Sequence, residues 1–132
     1  MSARDVLKQI KSKNVEYVDL RFTDPRGKLQ HLTMDKNIVD EGMLNDGVFF
    51  DGSSIAGWKA INESDMILKP DLSRTVMDPY TSHNTMILFC DILDAVKRDP
   101  YERDPRGIAK KAEAYLKKTG IGDKAYFGPE PE

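Results

Sequence analysis

The 132-residue sequence has a single cysteine, no long apolar run and no block of like charge. Cys90 has no second cysteine with which to form an internal disulfide, which is typical of a protein in the reducing cytosol. No stretch approaches the roughly 20 apolar residues that span a bilayer, and the N-terminus lacks an apolar leader segment. These absences predict a cytoplasmic protein with no membrane partner.

Charge is balanced, with 20 basic and 22 acidic residues and a net charge of −2. No basic stripe with interleaved aromatic residues is present, so nucleic acid is not expected as a partner. The sequence also lacks a glycine-rich phosphate loop and any spacing typical of a catalytic triad. Its length suits one domain, or one domain plus part of another.

Local patterns predict a helix first and then a hairpin. Ser2 can cap a helix that runs to about Lys13, with apolar residues on one face. Residues 18–23 alternate apolar and polar side chains, as in a strand with one buried face. The turn sequence DPRG at 24–27 then predicts a hairpin whose return strand covers 28–34.

The rest of the chain predicts an α+β domain. A short helix is expected within 35–44, short strands at 66–68 and 75–77, and a central strand at 85–93. Few helices on a mostly antiparallel sheet are typical of this fold class. A charged connection at 94–106 leads to a helix that Asp104 caps and Gly120 ends, and then to the start of another strand.

One stretch, DGVFFDGSSIAGWK at 46–59, combines glycine, serine, aspartate and aromatic residues, which predicts a structured loop rather than a regular element. Within it, Asp51 could bind a small cation or act as a base. It could equally form a turn by bonding its own backbone, and spacing alone favours the turn. Trp58, like the two phenylalanines, is expected to be a packing anchor.

The chain closes with the sequence FGPEPE, in which Glu130 and Glu132 are two residues apart. On an extended segment, such side chains project to the same face, and the flanking prolines favour extension. Paired carboxylates suit hard divalent cations, which prefer oxygen ligands. A solvated acidic terminus is the alternative, and the residues alone favour it.

Two other residue types are predicted to be structural. His31 and His83 have no second metal ligand at useful spacing, so they are expected to be structural or surface histidines. Cys90 lies in the apolar run MILFC and is expected to be a small buried hydrophobic residue rather than a reactive thiol.

These two motifs carry a resemblance to a known family. The segments FDGSSIAGW at 50–58 and FGPEPE at 127–132 resemble signatures of bacterial-type glutamine synthetases, and the sequence between them is similar as well. The resemblance implies a β-grasp N-terminal domain over residues 1–103. It also implies that residues 104–132 are the first helix and strand of an α/β catalytic domain whose remaining parts lie elsewhere.

The family resemblance further implies a reaction, the ATP-dependent ligation of ammonia to glutamate to give glutamine. Glutamate is first phosphorylated, and ammonia then displaces phosphate. By motif position, Asp51 would bind ammonium and remove its proton, Ser54 would lie beside it, and Trp58 would support the loop. Glu130 and Glu132 would each bind one of two Mg²⁺ or Mn²⁺ ions.

In this family, subunits form a dodecamer of two rings, and the N-terminal domain of one subunit completes its neighbour's active site. The resemblance therefore implies that Asp51 and Glu130 of one chain serve different sites. Two alternatives stay open: a related ligase that joins glutamate to another amine, and a non-catalytic β-grasp module for assembly or interaction.

We expect the isolated 132-residue chain to have no synthetase activity, because two carboxylates do not complete the coordination of two octahedral cations. A γ-glutamyl transfer assay and a phosphate-release assay on the purified chain test this expectation. Sustained turnover in either assay would contradict it.

Overall fold

The computed structural model describes residues 1–57 and 65–130 of the chain. The described helices and strands follow in chain order: α1 (Ala3–Ser12), β1 (Tyr17–Thr23), β2 (Leu29–Asp35), α2 (Glu41–Asp46), β3 (Val48–Asp51), β4 (Asp65–Pro70), β5 (Val76–Met77), β6 (Thr85–Asp94) and α3 (Pro105–Thr119). Short 3₁₀ turns lie at Lys36–Ile38 and Gly52–Ser54.

The strands form one mixed sheet in the order β2-β1-β6-β4-β3, and β5 adds to β6. β1 and β6 are parallel, with Tyr17 opposite Thr85 and Arg21 opposite Phe89, whereas the other described pairings are antiparallel. The predicted α+β class and the mostly antiparallel sheet are confirmed. β6 lies at the centre, as the sequence predicted for 85–93, because its apolar side chains suit burial on both faces.

The N-terminal elements confirm the local predictions. Ser2 caps α1: its hydroxyl accepts from the Asp5 amide at 3.2 Å, and the Asp5 carboxylate accepts from the Ser2 amide at 2.9 Å. In the β1–β2 turn, Asp24 accepts from the amides of Arg26 and Lys28, both at 2.9 Å. Gly27 has a φ of +84°, which glycine adopts without steric cost.

The helix predicted within 35–44 is divided into a 3₁₀ turn and α2. Gly47 then leads into β3 with a φ of +86°, and a Cβ there would lie 2.5 Å from Ile67 Cγ2 and 2.6 Å from the Leu68 carbonyl oxygen. Lys69 from β4 reaches back to the carbonyl of Leu44 at 3.4 Å and to that of Asn45 at the end of α2. α2 and β3 therefore approach β4 closely.

The hydrophobic core lies between one face of the sheet and helices α1 and α2. Its fully buried side chains come from β1, β4, β6, both helices and the connection between α1 and β1: Val6, Val15, Val18, Leu20, Leu44, Met66, Leu68, Met86, Leu88 and Ile92. Cys90 is buried in the same core, as predicted, and burial raises the pKa of its thiol. The thiol therefore stays protonated and unreactive at neutral pH.

α3 starts where the sequence predicted, because Asp104 caps it and Pro105 takes its first position. It ends at Gly120, whose φ of +71° is left-handed. Of the helices in the described ranges, none is both long and apolar enough to cross a membrane.

Two predictions of local structure were wrong. Residues 48–51, expected to be part of a loop, form strand β3, because they pair with β4 along their whole length. The strand expected near the C-terminus is not formed in 121–130, where the described residues have no regular structure. A strand needs a neighbouring strand to form hydrogen bonds with its backbone N–H and C=O groups, and no described strand pairs with this segment.

Shortening Leu88 to alanine should destabilise the domain by about 3 kcal/mol, because the side chain is fully buried at the centre of the sheet. Urea unfolding followed by circular dichroism measures the change. The matched control is Leu32→Ala on edge strand β2, where the side chain is 37% exposed. Equal losses for the two variants would contradict the central position of β6.

Candidate functional site

Asp51 is the last residue of β3, which is an edge strand of the sheet. Successive side chains of β3 point to opposite faces of the sheet. Phe50 points inward and packs on Phe22, with ring centroids 5.3 Å apart, whereas Phe49 and Asp51 are exposed. Asp51 lies opposite Asp65 of β4 in the ladder. The sheet thus holds the Asp51 backbone while its carboxylate is exposed to solvent at the sheet edge.

The Asp51 loop, which we define as residues 51–57, begins with a tight turn. Asp51 Oδ1 accepts from the Ser53 amide at 2.9 Å and from the Ser53 hydroxyl at 2.6 Å. The Ile55 amide donates to the Gly52 carbonyl at 3.1 Å, and the Ile55 side chain is buried in the core. The loop therefore has the turn geometry that spacing favoured, and this geometry orients an exposed carboxylate.

Among the described residues, Ser53 contacts Asp51 through its amide and hydroxyl, although the sequence did not single it out. Ser54, the residue predicted by motif position, is exposed on the same loop. The sequence could have predicted the Ser53–Asp51 contact, because serine two positions after aspartate is typical of such a turn. Trp58 lies outside the described residues.

The predicted metal pair is only partly described. Glu130 is exposed on a segment without regular structure, and Glu132 lies outside the described residues. Within 1–57 and 65–130, no group of three or more histidine, cysteine, aspartate or glutamate side chains could hold a metal ion. Glu130 can supply one carboxylate, but the described residues do not form a divalent cation site.

Both histidines have protein partners: His83 Nδ1 lies 3.2 Å from a carboxylate oxygen of Glu16. His31 Nδ1 lies 2.9 Å from a carboxylate oxygen of Asp19, which also accepts from Thr33 at 2.7 Å. Burial alone would raise the pKa of Asp19, but hydrogen bonds from Arg21, Thr33 and His31 outweigh it and lower the pKa. The carboxylate therefore stays ionised and links β1 to β2.

Asp104 joins α3 to the sheet. Its carboxylate is buried, and its oxygens accept from the Ile92 amide in β6 and from the Arg106 amide in α3, both at 3.1 Å. Burial raises the pKa of Asp104, and the neighbouring Asp91 adds to that effect. Arg106 in turn donates to Asp91 at 2.8 Å. The N-terminus of α3 is therefore held to β6 by polar contacts.

α3 exposes apolar side chains to solvent. Ile108 is 54% exposed and Tyr115 is 69% exposed. Tyr115 and Leu116 of this helix, together with Ile121 and residues 124–127, line a groove of about 650 Å³.

Comparisons with known proteins agree on one family. The family model described as "Glutamine synthetase, beta-Grasp domain" matches residues 14–95. The chain is 65% identical over 131 residues to a glutamine synthetase of Rhizobium meliloti, and 53% identical over 132 residues to one of Escherichia coli. These matches cover 99% and 100% of this chain, but the chain spans only 28% of the length of either relative.

Solved structures give the same fold. A Plasmodium falciparum glutamine synthetase structure matches 91% of this chain and 23% of its own, with a TM-score of 0.81 and 25% identity. A structure titled "Apo GmaS without ligand" matches 87% of this chain and 26% of its own, with a TM-score of 0.77 and 19% identity. The second likeness shows the fold alone.

Replacing Asp104 with asparagine should lower the free energy of unfolding at neutral pH by about 1–3 kcal/mol, because one amide oxygen does not serve two buried backbone amides. Since the folded-state pKa of Asp104 is raised, the wild-type carboxyl contributes most at acidic pH. The stability difference between wild type and Asp104→Asn should shrink as pH rises from about 3.9 to the raised pKa, and then stay constant.

Urea unfolding at a series of pH values measures that difference. Asp123→Asn, a change of the same charge in the segment after α3, serves as the control. A wild-type advantage that grows with pH would contradict the raised pKa of Asp104.

Proposed function

The chain belongs to the glutamine synthetase family through its β-grasp domain, and we propose that it forms the N-terminal part of an enzyme that ligates ammonia to glutamate with ATP. The observation that carries the proposal is the 65% identity to a named glutamine synthetase across 99% of this chain. Fold likeness alone would not separate this reaction from others in the family.

We propose that Asp51 binds ammonium and accepts its proton. A carboxylate attracts the cation, and loss of the proton gives neutral ammonia, the nucleophile that displaces phosphate from phosphorylated glutamate. The geometry supports this role in two ways. Asp51 is exposed at the sheet edge, and Ser53 orients its carboxylate through two hydrogen bonds. Ser54 is proposed to lie beside the bound ammonium.

Glu130 and Glu132 are proposed to serve as ligands for Mg²⁺ or Mn²⁺. These cations would neutralise charge on ATP during phosphoryl transfer to glutamate. The exposed carboxylate of Glu130 is of the type that such cations prefer. Because the described residues form no complete site, the other ligands would come from the rest of the catalytic domain.

Assembly is part of the proposal. Asp51 and Glu130 lie on separate parts of the chain and are both exposed, which suits contributions to different active sites in a ring-built dodecamer.

We also propose a cytoplasmic location, which suits the buried, unpaired Cys90. No feature of residues 1–57 or 65–130 favours a larger amine over ammonia as the acceptor.

A chimera tests the proposed function. Residues 1–132 replace the matching segment of the R. meliloti relative, and glutamine formation is assayed with ammonium, glutamate and ATP. We expect the chimera to be active. Asp51→Asn should lower kcat/KM for ammonium by about 10²- to 10⁴-fold, the usual contribution of a positioned general base.

Asp46→Asn is the matched control, because it removes the same charge from an exposed residue just before β3. It should leave the kinetic constants unchanged. An inactive chimera, or an active one in which Asp51→Asn has no effect, would contradict the proposal. A preference for methylamine over ammonium would favour the glutamate–amine ligase instead.

A further inference from the structure

The Asp51 loop is held at three points, and the third comes from a distant part of the chain. The β3–β4 ladder holds Asp51, and the buried Ile55 side chain holds the middle of the loop. At the far end, the Gly57 carbonyl accepts a hydrogen bond from Arg103 Nη1 at 3.1 Å. The two residues are 46 positions apart in sequence, so this contact exists only in the folded chain.

Gly57 lies at the described end of the loop, where its backbone has a conformation typical of glycine. Its φ of +89° is a left-handed conformation, and both it and Ala56 are exposed. Glycine has more conformational freedom than any other residue, so a hydrogen bond to its carbonyl restricts the backbone at this position. Arg103 supplies that bond to the described end of the loop.

Arg103 starts from a fixed backbone. Its neighbour Asp104 is 1% exposed and is bonded to β6 and α3 through its side chain. The Tyr101 amide donates to the Ile92 carbonyl at 2.8 Å, and the Asp104 amide donates to the Tyr101 carbonyl at 3.1 Å. The connection between β6 and α3 is therefore attached to the end of β6 on both sides of Arg103.

The chemistry of arginine suits this role. Its guanidinium is planar and always charged, and it carries five donors on a long side chain, so that it can bond a carbonyl and keep further contacts at the same time. A hydrogen bond from a charged donor is stronger than one between neutral groups. The Arg103–Gly57 bond can therefore hold the loop although both residues are exposed.

We propose that Arg103 is a positioning residue for the Asp51 loop, and that it sets the loop by bonding Gly57 from the junction between β6 and α3. Its effect on ammonium use rests on the proposed function of Asp51, whereas its effect on loop order does not. The contact also links the loop to the start of α3.

Amide exchange followed by NMR on the ¹⁵N-labelled chain tests the loop directly. Arg103→Met removes all donors at similar length, and it should speed exchange of the Ser53 and Ile55 amides about tenfold, the effect of one lost hydrogen bond. Core amides of Leu20 and Leu88 should not change. Arg103→Lys keeps a charged donor and should restore part of the protection.

Arg74→Met is the matched control, since it alters an arginine in the loop after β4 and should leave the Asp51 loop unchanged. Unchanged exchange at Ser53 and Ile55 in Arg103→Met would overturn the proposal. Equal acceleration in the core would also overturn it, because it would show a general role in stability.

The chimera supplies the functional readout. Arg103→Met should raise KM for ammonium more than it lowers kcat, leave KM for glutamate and ATP unchanged, and be partly rescued by Arg103→Lys. A similar rise in all three KM values would overturn the positioning role. If the unsubstituted chimera is inactive, the proposed function fails, and the exchange measurement still decides the role of Arg103.

Discussion

The structure depends on the pairing of β6 along both of its edges. On one side its first half accepts β1 in parallel, and on the other side it pairs with β5 and then β4. Beyond the end of the β1 pairing, the Ile92 amide and carbonyl bond Asp104 and Tyr101 instead of another strand. The backbone groups of this ten-residue strand therefore bond three other strands and the start of α3.

The position of the Asp51 loop follows from the same strand. β4 pairs with β6, β3 pairs with β4, and the loop extends from the end of β3 at the sheet edge. The second route runs from the end of β6 through Asp104 and Arg103 to Gly57. Both ends of the described loop are thus connected to β6, which is why an exposed segment can hold its carboxylate in one orientation.

The proposed site lies exposed on an edge strand of the sheet. Asp51, the proposed base, presents its carboxylate outward, and Glu130 lies on an exposed segment beyond α3. The chain spans 28% of the length of its R. meliloti relative, and the proposed reaction requires groups that the described residues do not contain. The apolar face of α3 is exposed in the same region, which distinguishes it from the core-facing helices α1 and α2.

The sequence by itself determined the features that depend on neighbouring residues. The capping box of Ser2, the turn at Asp24 and the helix start at Asp104 each need partners within four positions, so the pattern is complete in a short window. The short apolar run MILFC in β6 likewise identified the central strand. The motifs at 50–58 and 127–132 identified the family before any geometry was known.

Only the tertiary structure decided which distant segments meet. A period-two pattern shows that a strand has a buried face, but it does not specify the neighbouring strand, so the parallel β1–β6 pair was not foreseen. Residues 48–51 form strand β3 because they pair with β4. Residues 121–130 form no strand, because no described strand pairs with them. The Arg103–Gly57 hydrogen bond could not be predicted for the same reason, since its two residues become neighbours only when the strands between them are paired.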